Sequence, residues 1–290
     1  MLDNKLETKE KQNTIKVKQS HTSFYWAMRL LPREKRDAMF AIYTFCRKVD
    51  DIVDNPGPVE NKRNQLKKWR DEIIAIFEGE ADDQLSQQIL RAKKSFALRK
   101  EDFLAIIEGM LMDLGDKEKP GRVRIQDMKK LTIYCDKVAG AVGRLSNQVF
   151  NIPNDRSYEL ASTLGRALQL TNILRDLRED AKMDRLYIPR EILKKNGIKE
   201  TEPHAVMIEP LFPRACNELT SIAENDFKNA ETILIGIERS KARPVIIMKD
   251  IYKLTLNRLI KRGWHNLDQP VKSSNLKKIW IIIRSGLPRL

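Results

Sequence analysis

Apolar residues recur at intervals of three and four along most of the chain, and the breaks between these runs fall on glycine and proline. The spacing predicts helices over 33–54, 59–78, 83–97, 101–115, 125–149, 155–180, 212–238 and 243–262. Between them stand Asn55-Pro56-Gly57-Pro58, Gly79, Lys119-Pro120-Gly121, Ile152-Pro153-Asn154, Asn196-Gly197 and Arg243-Pro244. A short buried helix is also expected from Ser20, stopped before Pro32. Alternation with period two is almost absent, so strands have little support. The pattern describes an all-α chain, one domain built as a bundle of eight or more helices.

The two ends differ from the middle. Residues 1–19 are polar and charged with no periodic apolar face, and read as a mobile tail before a domain over 20–274. Residues 275–290 are apolar in the middle, around Trp280 and a run of isoleucines, and basic on both sides. Docking onto the bundle and a peripheral contact with an anionic membrane both fit that tail.

Two helical stripes are polar where a core stripe is expected. At about 100° per residue, Gly165, Gln169, Asn172, Asp176 and Asp180 fall within about 80° of one another. On the helix over 33–54, Met39, Tyr43, Arg47, Asp50 and Asp54 do the same, running from apolar to acidic. Like charges one turn apart cost an isolated helix a few tenths of a kcal/mol. Buried carboxylates need a cation or a basic partner. Arg47 and Arg175 stand beside the two pairs, and Asn172 and Gln169 add amides. Mg²⁺, which takes a few carboxylates together with phosphate oxygens and water, suits such a set. Two such walls, greasy below and acidic at the mouth, fit a metal-bound anionic head with a long hydrocarbon tail.

Other local features bear on that cavity. Gly140 and Gly143 each weaken a helix by about 1 kcal/mol relative to alanine, which points to close approach by another backbone or by a ligand. Tyr134, upstream of them, is placed to reach the same space. After Asp180, Leu186-Tyr187-Ile188-Pro189 predicts a loop or short extended segment, bringing Arg185 and Tyr187 near the acidic mouth.

Composition narrows the partners. The net charge is +14, from 54 basic and 40 acidic residues, which fits nucleic acid, an anionic membrane or an anionic small substrate. No helix-turn-helix, zinc-finger or RNP-type signature accompanies it, and nucleic acid is not expected. An RNA- or membrane-binding helical protein gives no reason for two inward acidic pairs. Cys46, Cys135 and Cys216 stand far apart, which favours reduced thiols without structural zinc. No run reaches the ~20 apolar residues of a membrane span. A cytoplasmic protein is expected, with contact at the inner face of the membrane left open by the tail.

The stretches Arg47–Asp54, Tyr134–Gly143 and Leu170–Asp180 together resemble the squalene/phytoene synthase family, over most of the chain from Ser20 to beyond Tyr252. Ser23–Pro32, Met39–Tyr43 and Arg185–Glu191 look most like the bacterial presqualene diphosphate synthases of hopanoid pathways. The resemblance implies an isoprenoid synthase-type helical bundle around a central cavity. It implies that Asp50, Asp54, Asp176 and Asp180 hold Mg²⁺ against two prenyl diphosphates. Tyr43, Arg47, Gln169, Asn172 and Arg175 then line the substrate site, with Ser20, His21 and Ser23 in a polar cluster near a diphosphate. Tyr134 matches a tyrosine near the reacting carbons, and both it and the released diphosphate are candidates for taking the proton. Met183 replaces a metal-binding asparagine of some relatives, with Asp184 beside it. The implied reaction joins two farnesyl diphosphates into presqualene diphosphate, without NADPH, for later enzymes of the squalene or hopanoid pathway. Squalene, dehydrosqualene and phytoene synthases of the same family are the alternatives.

Overall fold

The computed structural model describes residues 28, 31–116, 119–269 and 271. The expectations for the 1–19 tail, for Ser20, His21 and Ser23, and for 275–290 with Trp280 therefore lie outside the described residues.

Helix α1 (Arg33–Asp54) starts after Pro32 and ends where Pro56 forbids continuation. α2 (Val59–Glu78) closes on Gly79, whose φ of 108° is open to glycine but strained for other residues. α3 (Gln84–Phe96) is capped by Asp83, whose carboxylate accepts from the Ser86 amide at 2.7 Å. α4 (Lys100–Met112) stops short of the expected 115 because the chain turns at Gly115, φ 68°. Three aromatic rings pack α1, α2 and α4 together: Phe45 meets Trp69 and Phe103 edge-on at 5.6 and 5.2 Å. Met39 is fully buried in this core and does not line the cavity, contrary to the stripe read from the sequence.

The helix expected over 125–149 is divided. Residues Val123–Arg124 form a strand, β1, parallel to β2 (Arg185–Leu186). Helix α5 (Met128–Cys135) begins only at its Asp127 cap, which accepts from the Lys130 amide at 2.7 Å. A π-helical turn (Asp136–Gly140) then leads into α6 (Ala141–Phe150). α7 (Asn154–Arg175) and α8 (Leu177–Lys182) replace the single helix expected over 155–180. β2 is the short extended segment expected after Asp180.

Two short helices, α9 (Arg190–Lys195) and α10 (Pro203–Ile208), had no clear sequence signal. α11 (Phe212–Ile235) packs along α7, where Arg166 forks onto the buried Asp226 at 2.6 Å through both nitrogens. α12 (Arg239–Arg262) starts before Pro244 instead of at it. Proline near a helix start removes one backbone bond, to the carbonyl four residues earlier, and α12 absorbs that loss.

Backbone contact, the alternative that small residues suggested, is observed where α7 crosses the π turn. A Cβ on Gly165 would stand 2.7 Å from the Gly140 nitrogen. One on Gly143 would press on Ala161 at 3.1 Å. No described helix is long and apolar enough to cross a membrane.

Candidate active site

α1 delivers an acidic C-terminal end to the rim, and the junction of α7 and α8 delivers Asp176 and Asp180. The C-terminal end of a helix carries partial negative charge, so Asp50 and Asp54 are doubly disfavoured there. α1 has no basic residue in its last turn. Arg47, one turn earlier, donates to Asp50 at 2.7 Å and to Asp51 at 2.6 Å. On the opposite wall Arg175 grips its immediate neighbour Asp176 through two bonds of 2.6 and 2.5 Å. Adjacent residues of a straight helix do not face each other. The break at Asp176, where φ and ψ are −101° and 16°, is what lets them meet.

Arg185, on β2, reaches across to the α1 wall. It is 7% exposed, donates to Asp54 at 2.8 Å and also reaches the Val53 carbonyl at 3.1 Å. Even so, the carboxylates are not fully compensated. Burial first, then Asp176 close by, pushes Asp180 up to about 8, and Asp54 and Asp113 add to the rise. Asp50 is pushed up to about 6 by burial and by Asp54, against the pull of Arg47. The Arg47 guanidinium bonded to it keeps its rise the smaller of the two. A carboxyl group held in acid form near neutrality is a place where a cation can replace a proton.

Beneath the rim lies a cavity of about 350 Å³. Tyr43, Arg47, Gln169 and Asn172 line its polar part. Val138, Val142, Leu164, Leu168, Val245 and Met248 line the rest, with Gly143 and Gly165 keeping the walls low. Cys46 also faces it, and burial raises that thiol to about 12, so it stays protonated.

Tyr134 and Tyr187 are not among the residues lining this cavity. Their rings stack at 5.0 Å and 21°, and both hydroxyls donate to the buried Asp113, at 3.2 Å from Tyr134 and 2.6 Å from Tyr187. Burial, then Asp113, holds both phenols well above their ordinary pKa. Tyr134 instead lines a separate cavity of about 310 Å³, where Arg63, Arg122, Arg124 and Lys130 stand among Leu111, Met112, Val123 and Ile125. The sequence reading missed Asp113. Its signal was an acid inside the apolar run Met110-Leu111-Met112-Asp113-Leu114, where a charge is not tolerated without partners.

The rim's donor set fits Mg²⁺. Asn172 Oδ1 is buried without a hydrogen-bond partner, one turn before Asp176. It adds an unused hard oxygen to carboxylates already crowded enough to hold protons. Among the described residues no three acidic or sulfur/imidazole groups close into a ready cage. A Mg²⁺ site completed by substrate phosphate needs only one or two carboxylates. Asp184 is not placed to join it: at a φ of 56° it turns to Arg124, with which it forms an ion pair.

Known proteins resemble this chain in sequence and in fold. A family model described as squalene/phytoene synthase matches residues 17–277. The presqualene diphosphate synthase of Rhodopseudomonas palustris is 43% identical over 92% of this chain and 93% of its own. That of Zymomonas mobilis is 40% identical over 91% and 88%. A dehydrosqualene synthase crystal structure in complex with ligand superposes with a TM-score of 0.82 at 24% identity, covering 98% of this chain and 97% of its own.

Proposed function

Because the chain belongs to the squalene/phytoene synthase family, and is thus a prenyltransferase, we propose that it joins two farnesyl diphosphates into presqualene diphosphate. The observation that carries the reading is the pairing of two mutually crowding aspartate clusters with an apolar cavity directly below them. The names of the 40–43% identical relatives support the choice of product.

In this reading Asp50, Asp54, Asp176 and Asp180 hold Mg²⁺, and Asn172 Oδ1 is a further donor. Bound Mg²⁺ supplies charge neutralisation for the departing diphosphate. Arg47, Arg175 and Arg185 have their guanidinium forks at the same rim and grip phosphate oxygens once those displace the carboxylates. The apolar wall from Val138 to Met248 holds the two chains and keeps water from the allylic cation formed when the donor's C1–O bond breaks. The acceptor's double bond attacks that C1, and loss of one proton closes the cyclopropane. The products are presqualene diphosphate, one diphosphate and one proton. Tyr134 is a neutral phenol with its proton directed at Asp113. That favours the released diphosphate as the proton acceptor.

The test is incubation with farnesyl diphosphate and Mg²⁺, with and without NADPH, and mass spectrometry of the products. Presqualene diphosphate in both conditions is expected. Squalene formed only with NADPH would make this a complete squalene synthase. Phytoene from geranylgeranyl diphosphate, with no turnover of farnesyl diphosphate, would overturn the substrate assignment.

A further inference from the structure

The Asp113 cluster separates two unlike spaces. On one side are the rim carboxylates, with Asp54 and Asp180 both within electrostatic reach of Asp113. On the other, Tyr134 lines the cavity of about 310 Å³, which opens to solvent and carries four basic side chains. At about 30 Å³ per molecule that space holds on the order of ten waters. Between the two stand two stacked rings whose hydroxyls have one common anchor. Stacking leaves a ring free to slide in its plane. Two donations to a carboxylate that is 5% exposed fix both rings along that direction. Tyr187 directly follows β2 and stands two residues from Arg185, so one short segment positions both the partition and the arginine on Asp54.

We propose that Asp113 is a positioning residue that keeps a two-tyrosine partition closed between the acidic rim, where the donor's C1–O bond breaks, and a hydrated side cavity. The inference rests on the prenyl-transfer reading, and it concerns the fate of the allylic cation. After diphosphate leaves with the C1–O electron pair, the cation is captured either by the second chain's double bond or by water. Capture by water gives a prenyl alcohol and one proton. A closed partition selects the first course.

The experiment compares the full chain with Asp113→Asn, Tyr187→Phe, Tyr134→Phe and the Asp113→Asn/Tyr134→Phe pair. It uses whichever prenyl diphosphate the unaltered protein consumes. In Asp113→Asn the new side chain has one amide oxygen to offer and turns its NH₂ group toward the other phenol, so the shared anchor is lost. The expected result is an alcohol fraction at least tenfold higher in Asp113→Asn at unchanged KM, and a smaller rise in Tyr187→Phe. The pair should be no worse than Asp113→Asn alone, because the two changes break the same link. An unchanged alcohol fraction in Asp113→Asn, or a change carried by KM alone, overturns the proposal. If Asp113→Asn does not fold, Tyr187→Phe decides by the same criterion.

A second readout is independent of substrate. With 3-fluorotyrosine at position 134, the fluorine resonance should shift and broaden in Tyr187→Phe and Asp113→Asn as the ring loosens. A resonance that neither change moves rejects the anchoring role, whatever the enzyme's substrate proves to be.

Discussion

Asp226 and Asp176 each receive a two-pronged arginine at almost the same distances, yet the two pairs do different things. Asp226 is 1% exposed and takes Arg166 from another helix, so the bond joins α11 to α7. Asp176 is 35% exposed and takes Arg175 from the next position in the chain, so its bond joins nothing. A pair that bridges elements holds the fold. A pair between neighbours at a rim holds charges ready for exchange, and phosphate and cation can separate it without moving a helix.

The largest effect should come from separating those roles by mutation. Asp176→Asn or Asp50→Asn is expected to abolish turnover, by roughly three orders of magnitude or more, while the urea midpoint stays near that of the parent protein. Turnover close to the parent in either variant would end the two-cluster metal assignment. Asp226→Asn should do the reverse. Breaking a buried pair costs about 3–5 kcal/mol, and the low end applies because a third of Arg166 is open to water. Activity per folded molecule should survive, as judged by active-site titration.

A smaller effect tests the packing beneath the rim. Gly165→Ala gains about 1 kcal/mol in helix propensity but forces a methyl to within 2.7 Å of the Gly140 backbone. Overpacking costs about 1–3 kcal/mol, so net destabilisation is expected in thermal unfolding. A more stable variant would mean that α7 and the π turn can part freely.

The most diagnostic effect is on pH. In metal-free protein Asp180 holds its proton to about 8 and Asp50 to about 6, against an ordinary value of 3.8. The folded state therefore keeps protons that the unfolded chain has released, and stability falls as pH rises from about 4 to about 8. Melting in the presence of a chelator should show this fall. Asp180→Asn should flatten its upper part, and Mg²⁺ with diphosphate should reverse it. A melting temperature that rises across that window would contradict the crowding of the rim.

Much of this was legible along the chain because its signals are local. Pro32, Pro56 and Gly79 mark helix ends within two residues of where the structure puts them. The four aspartates stand out because two pairs share a spacing of four. Asp113 does not, since its partners lie 21 and 74 positions away. The break at Asp176 was hidden for another reason: the Asp180 amide still reaches the Asp176 carbonyl at 2.9 Å, so helical spacing persists across it. Two-residue strands leave no period to detect.

Arg185 reaches Asp54 across 131 positions of sequence. A contact of that range forms only after the intervening chain has found its place, and closing so long a loop is slow compared with coiling a helix. A nascent chain can therefore complete α1, with Asp50 and Asp54 in position, long before their counterpart has been synthesised. The rim comes into being as a late event of folding, and its competence to bind serves as a signature that the two distant parts of the polypeptide have met.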